Sequence, residues 1–134
     1  MTKELIEENG FYTLWFHPDD GIVHHKFHKF IYGDTFRACL NRGTALLKER
    51  GASKWLSDDR KNSVITPDDS EWGVYDWLPR TIEAGWRYWA IVMPEGVTGR
   101  LKMESIIVDT AKSGLIIETF TDDDYAMDWL RTFE

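Results

Sequence analysis

The sequence predicts a single α/β domain, residues 1–134, with a mixed β-sheet, an N-terminal β-hairpin and about four helices, in the order β-β-α-β-α-β-α-β-α. Three observations predict this class. Two aromatic, strand-like runs flank a Pro-Asp-Asp-Gly turn near the N-terminus. Apolar runs then alternate with segments of helical periodicity as far as the C-terminus. A length of 134 residues suits one hydrophobic core rather than two.

The hairpin consists of residues 11–17 (FYTLWFH) and 22–31 (IVHHKFHKFI). Between them Pro18 fixes its own φ and Gly21 supplies a positive φ, which is typical turn chemistry. A four-residue turn sets Trp15 opposite His24, and Phe11 opposite His28, on one face. The other face should meet the helices, and it carries Tyr12, Leu14, Phe16, Val23 and Phe27.

The first hairpin face is too aromatic to be left in water, so we expect something to cover it. A second copy of the chain is one option, and the chain's own helix is the other. The first option predicts a homodimer.

The first helix should begin at Gly33-Asp34, with Asp34 as its N-cap, and end before Gly51. Cys39 lies on its apolar stripe, which predicts a buried, inert thiol rather than a nucleophile. Residues 54–56 then form a short strand that leads into a polar loop.

The next helix has a strong start in Thr66-Pro67-Asp68-Asp69. Thr66 can cap the helix, Pro67 suits its first position, and Asp69 can close a capping box. The apolar pattern continues to Gly85, but Pro79 lies inside it, which predicts a kink or a break.

The remaining elements alternate between strand and helix. Residues 88–93 (YWAIVM) are a continuous apolar run, as expected of a strand covered on both faces. Residues 98–112 should be helical, residues 115–120 (LIIETF) form the last strand, and a final helix opens at Thr121-Asp122-Asp123-Asp124. The later strands should be parallel, joined by right-handed crossovers.

Composition excludes several classes of function. The net charge of −7 repels phosphate, so neither nucleic acid nor an anionic membrane surface is an expected partner. No apolar run approaches the ~20 residues of a membrane span. The polar N-terminus does not resemble a signal peptide, and a single cysteine permits no internal disulfide. We therefore expect a cytoplasmic protein without membrane insertion.

The four histidines are the first candidates for chemistry. Strand geometry places His24 and His28 about 13 Å apart, too far to share a metal ion, and His25 points to the opposite face. A mixed site that includes His17 stays open beside the simpler interpretation of a partly exposed strand face. The sequence contains no catalytic triad motif, no phosphate-binding loop and no dinucleotide fingerprint, so we predict no catalytic residue, metal or cofactor.

The second candidate is the loop after residues 54–56, because ligands bind at the carboxyl ends of strands in open α/β sheets. In the alternative interpretation, Arg60 merely pairs with an aspartate, and the other charges solvate a loop and cap a helix. The predicted binding residues are Ser57, Asp58, Asp59, Arg60, Thr66 and Trp72.

Three stretches resemble a known family. They are Lys54-Trp55-Leu56-Ser57-Asp58-Asp59-Arg60, Ala90-Ile91-Val92-Met93-Pro94, and the ending from Phe120-Thr121-Asp122 to Trp129-Leu130. They resemble the STAS, or SpoIIAA-like, family of short bacterial proteins, whose fold is similar to that of the anti-sigma-factor antagonists. The resemblance implies a SpoIIAA-like mixed sheet. In regulatory antagonists a serine of an Asp-Ser-Ser-Gly motif is phosphorylated, whereas the corresponding region here reads Thr66-Pro67-Asp68-Asp69.

The resemblance implies a non-catalytic protein-interaction or regulatory module whose partner is a protein of unknown identity. The alternative is a small-ligand-binding protein, or a minor enzyme, with a polar pocket around Asp58, Arg60 and Trp72. A deep pocket would favour the alternative, and a flat aromatic face would favour the module.

Overall fold

A six-stranded mixed sheet forms the centre of the fold in a computed structural model that describes residues 3–134. The strands lie side by side in chain order. The first three pair antiparallel with one another, and the last four, beginning with the third, run parallel to one another. The strands are β1 (Glu4–Glu8), β2 (Tyr12–His17), β3 (Ile22–Phe27), β4 (Lys54–Asp58), β5 (Tyr88–Val92) and β6 (Ile116–Phe120).

The helices form two layers of unequal size. Three helical segments connect the parallel strands and share one core on the same face of the sheet. The last helix returns to the opposite face, where it covers Leu56, Ala90 and Val92. The helices are α1 (Gly33–Glu49), α2 (Pro67–Trp72), a π-helical turn (Gly73–Trp77), α3 (Leu78–Glu83), α4 (Val97–Asp109) and α5 (Asp123–Arg131). Because α2, the π-helical turn and α3 are continuous, residues 3–134 contain four helical segments, as predicted.

The larger core is built around four tryptophans, Trp55, Trp77, Trp86 and Trp89, whose contacting ring centroids lie 5.0 to 6.2 Å apart. All four are buried. Packed rings of this size fix how closely the helices approach the sheet. Gly43 of α1 lies directly over Trp55, so close that a Cβ atom at this position would overlap the indole ring.

The hairpin is confirmed, including its register. Trp15 pairs with His24, His17 pairs with Ile22 across the turn, and Gly21 has a φ of 67°. The second strand of the hairpin ends at Phe27, not at residue 31 as predicted. Beyond that point the His28 N–H still donates to the Phe11 carbonyl, and the chain then turns toward α1.

The predicted element order was wrong at its beginning, because β1 precedes the hairpin. This strand has the sequence ELIEE and pairs with β2 alone, with an irregular register between Leu5 and Glu7. Charged side chains protect an edge strand from pairing with other chains, and three of the five residues of β1 are glutamates. Its sequence therefore lacks the apolar runs by which the other strands were predicted.

Two predicted helix caps have different outcomes. Thr66 caps α2 as predicted, since its hydroxyl accepts a hydrogen bond from the Asp69 N–H, and Pro67 occupies the first turn. The Asp34 cap was wrong, because α1 begins at Gly33. Asp69 was predicted to close a capping box, but its carboxylate accepts the Gly33 N–H (2.8 Å) and the Arg37 Nε–H (3.0 Å) instead. The start of α1 is thus capped by a side chain from another helix.

Pro79 does not break its helix, and the irregularity that was expected there lies just before it. Proline has no N–H to donate to the preceding turn. The π-helical turn at Gly73–Trp77 carries the chain through this stretch, and α3 then continues to Glu83. Among residues 3–134, no helix is both long enough and apolar enough to cross a lipid bilayer.

Candidate functional site

Four of the six predicted binding residues follow one another at the end of β4, and they divide between the two faces of the sheet. Asp58, the last residue of β4, is 1% exposed and forms a closed ion pair with Arg60. Arg60 donates from Nε to Oδ1 (3.0 Å) and from Nη2 to Oδ2 (2.8 Å). These hydrogen bonds raise the pKa of Arg60. Its Nη2 also lies 3.7 Å from a carboxylate oxygen of Asp123 at the start of α5. Both carboxylate oxygens of Asp58 are therefore occupied within the chain.

Ser57 and Asp59 lie in the larger core, on the other side of β4. Ser57 is buried, and its hydroxyl accepts a hydrogen bond from Trp89 Nε1 at 2.8 Å. Asp59 is 3% exposed, and its Oδ1 lies 2.8 Å from His25 Nε2.

The protonation state of His25 follows from its second partner. Trp55 Nε1 lies 3.0 Å from His25 Nδ1, and an indole N–H can only donate. His25 Nδ1 must therefore accept, which leaves the single ring proton on Nε2, facing Asp59. The three buried groups form a directed chain in which Trp55 donates to a neutral His25 and His25 donates to Asp59.

Asp59 and His25 line a cavity of about 40 Å³ between the sheet and the helices. The cavity lies on the helix-facing side of the sheet, where it is lined by His25 of β3, Ser57 of β4 and Trp89 of β5. Part of its wall is the π-helical turn, a feature that often occurs at functional sites. Its other polar lining groups are Ser57, Asp69, Ser70 and Thr110, and its apolar lining includes Phe27, Phe36, Leu40, Trp77, Trp89 and Met103.

The last two predicted residues lie at the two ends of α2. Thr66 is its N-cap, and the Thr66 hydroxyl is engaged by the Asp69 N–H. Trp72 is half-buried, with the guanidinium carbons of Arg37 and Arg80 at 5.1 and 5.9 Å from its ring centroid. It lines an open surface depression together with Arg37, Asp68, Glu71, Tyr75 and Asp76. The six predicted residues therefore do not converge on one site.

Of the other three histidines, His17 and His24 contact each other, and His28 lies apart from them. His17 Nε2 lies 3.1 Å from His24 Nδ1, and His24 is buried rather than partly exposed as predicted. Desolvation lowers the pKa of His24 well below 6.5, and it also lowers the pKa of His17. His28 contacts the Thr13 hydroxyl. Within residues 3–134, the one group of three or more side chains that could hold a metal ion is the acidic start of α5, Asp122, Asp123 and Asp124.

The prediction of binding residues missed His25, Trp55, Trp77 and Trp89. One signal for His25 was available, because the strand alternation had placed it on the helix-facing side, with Val23 and Phe27. A histidine on an otherwise apolar inward face needs a hydrogen-bonding partner. The sequence did not indicate which residue that partner would be.

Comparisons of the chain with protein-family models, with curated proteins and with solved structures find no match.

Proposed function

We propose that this chain is a non-catalytic protein-interaction or regulatory domain of the STAS, or SpoIIAA-like, type that acts in the cytoplasm. The coarse architecture supports the proposal, because the mixed sheet, the hairpin and the four helical segments agree with the fold that the resemblance implies. Helix α2 also begins at the region that corresponds to the regulatory motif of the antagonists.

The observation that carries the proposal is an exposed aromatic and acidic surface around α2, here called the α2 surface. Tyr75 is 77% exposed and Tyr32 is 61% exposed, and Phe30 stacks on Tyr32 with ring centroids 5.3 Å apart. The loop that carries Tyr32 is held against α2 because the next residue, Gly33, donates its N–H to Asp69. The α2 surface consists of Phe30, Tyr32, Arg37, Asp68, Glu71, Trp72, Tyr75 and Asp76.

The chemistry of the α2 surface selects a basic protein partner. Exposed tyrosines and tryptophans supply rigid contact area at protein interfaces. Trp72 and Asp76 already contact arginines of the chain itself. The exposed rings of Tyr32 and Tyr75 and the carboxylates of Asp68 and Glu71 remain to favour lysine and arginine side chains. The net charge of −7 steers such a partner toward the chain. We therefore propose that the partner presents a basic segment.

Phosphorylation is not part of this proposal. The Thr66 hydroxyl is already the hydrogen-bond acceptor for the Asp69 N–H. A phosphate at this position would lie beside the carboxylates of Asp68 and Asp69, which would repel it. The partner should therefore bind to the unmodified chain.

The homodimer remains a proposal as well. Lys3 lies over the Trp15 ring at 4.4 Å, and His17 stacks on His24, so the chain's own side chains contact part of the aromatic hairpin face. Phe11 is still 39% exposed at the end of that face. Light scattering at micromolar concentration tests the proposal, and a monomeric mass refutes it.

The alternative pocket around Asp58, Arg60 and Trp72 gains no support. Asp58 and Arg60 satisfy each other near α5, while Trp72 lines a depression on the outer side of α2.

The interaction proposal is tested by affinity purification from the native host, followed by reconstitution with the purified partner. Tyr32→Ala combined with Tyr75→Ala removes the most exposed aromatic groups of the α2 surface and should abolish capture. Tyr125→Ala is the matched control, because Tyr125 is 71% exposed on α5 and lies outside the α2 surface.

The reconstituted complex should weaken with added salt and on Glu71→Lys, because charge complementarity depends on both. Capture of the same protein by the double variant would refute the proposed surface. Failure of the wild-type chain to enrich any protein would count against the function itself.

A further inference from the structure

The two edge strands of the sheet differ in chemistry, and the first of them, β1, is protected. Its register is irregular between Leu5 and Glu7, and three of its residues are glutamates. Glu4 pairs with Arg50, and a carboxylate oxygen of Glu7 lies 3.9 Å from Arg42. Charges and irregularities of this kind prevent an edge strand from pairing with another chain.

The opposite edge strand, β6, lacks these features. Its sequence is IIETF, and its pairing with β5 is regular throughout. Glu118 is its only charged residue, and Ile116 is 49% exposed. An exposed, regular and apolar edge strand is a template on which a further strand pairs.

The backbone of β6 also directs hydrogen-bonding groups away from the sheet. Ile116 donates its N–H to the Arg87 carbonyl (3.0 Å), so the backbone groups of this residue face β5. Because the bonding direction alternates along a strand, Ile117 and Thr119 direct their N–H and C=O groups outward. The Thr119 N–H accordingly donates to the Glu118 carboxylate (3.1 Å) instead of to β5.

An apolar strip of α4 lies beside this edge. Glu104 of α4 lines a surface groove together with Thr119 and Phe120 of β6. Leu101 and Val108 share a stripe of the helix with Glu104, because residues three and four positions apart are neighbours on a helix. Both are largely exposed, at 61% and 73%. The apolar surface therefore extends from β6 onto α4.

We propose that β6 is the interface of a homodimer, in which the β6 strands of two copies pair antiparallel about a two-fold axis. The inference rests on the homodimer proposed above, and it places the interface at this sheet edge instead of at the hairpin face. A two-fold axis lets the same strand serve both copies, so the two sheets become one continuous sheet.

The charges along the edge favour a second copy as the occupant. Pairing centred on Glu118 would set two like charges opposite each other, which is destabilising. With Ile116 at the axis, Ile116 meets Ile116 of the second copy, and Glu118 becomes a diagonal neighbour of Lys112 of the second copy. Lys112 and Glu118 are both exposed, and neither takes part in an ion pair among residues 3–134. This register therefore forms two ion pairs and one apolar contact.

The interface is tested by sedimentation equilibrium of the purified chain at micromolar concentrations. The wild type should have the mass of two chains. Ile116→Lys should have the mass of one chain, because two like charges then face each other at the axis. Glu49→Lys is the control and should remain dimeric, because Glu49 is exposed on α1, which packs against β2 and β3.

Charge reversal tests the register of the pairing. Glu118→Lys and Lys112→Glu, made singly, each bring like charges together at two places and should raise the dissociation constant of the dimer about tenfold. The double variant restores opposite charges and should return the constant to its wild-type value. A merely structural role of either residue would not produce this recovery.

The outcomes separate this interface from the homodimer itself. A monomeric wild type would overturn both. A dimer that survives Ile116→Lys but dissociates on Phe11→Ala would keep the homodimer, place it at the hairpin face and refute the β6 interface. Circular dichroism reports whether each variant is folded. If Ile116→Lys does not fold, the charge reversals at exposed positions decide the question, and a double variant as weak as the single ones would overturn the proposal.

Discussion

The Asp58–Arg60 ion pair gives the sharpest stability test, since Arg60 was predicted both as a binding residue and as a partner for an aspartate. Arg60→Ala would leave a carboxylate that is 1% exposed without the two charged hydrogen bonds that satisfy it. Breaking a buried pair in this way costs about 3–5 kcal/mol. Arg60 is itself partly exposed, so water can reach the gap, and we expect a loss of about 2–4 kcal/mol in the free energy of unfolding.

For a chain of this size the loss corresponds to a melting temperature lower by about 10 °C, measured by circular dichroism. Arg87→Ala, at an exposed arginine, is the control and should melt like the wild type. Asp58→Asn combined with Arg60→Ala should recover part of the loss, because the uncompensated charge is then removed. An unchanged melting temperature for Arg60→Ala would refute the structural role and return Arg60 to the candidates for binding.

Three further predictions concern the core. Gly43→Ala should lower the free energy of unfolding by about 1–2 kcal/mol despite its better helix propensity, because the new methyl group overlaps Trp55; a higher denaturant midpoint would contradict this. Cys39→Ser should cost about 1–3 kcal/mol through a buried hydroxyl, and rapid thiol labelling of native protein would show that the residue is not buried. Since the folded-state pKa of His24 is lowered, stability should be full above about pH 6.5 and fall by up to ~1.4 kcal/mol per unit as the pH decreases below it. Denaturant titrations of His24→Asn from pH 5 to 8 should show a shallower dependence, and an unchanged slope would exclude His24 as the cause.

Features that depend on neighbouring residues could be predicted from the sequence. The hairpin register follows from a four-residue turn closed by Gly21, and the start of α2 follows from Thr66 and Pro67, because turn and cap hydrogen bonds join residues a few positions apart. The start of α1 could not be predicted in this way. Its cap is Asp69, which lies 36 positions away in sequence, and nothing near Gly33 indicates that contact.

The candidate site shows the same division between local and distant information. Strand alternation placed His25 on the inward face, and its partner Asp59 lies 34 positions away. The contact exists because β3 and β4 are adjacent and parallel, with His25 in register with Ser57. That register joins two strands separated in the chain by the whole of α1, so it is a property of the assembled sheet rather than of either strand.

Asp58 and Asp59 show why a contiguous polar motif was a poor guide to a site. Successive residues at the end of a strand point to opposite faces of the sheet. The sheet therefore separates two adjacent carboxylates, one facing α5 and the other facing the larger core. Arg60 neutralises the first, whereas the second meets only a neutral imidazole. Two identical side chains thus have different surroundings, because a guanidinium holds one and an imidazole holds the other.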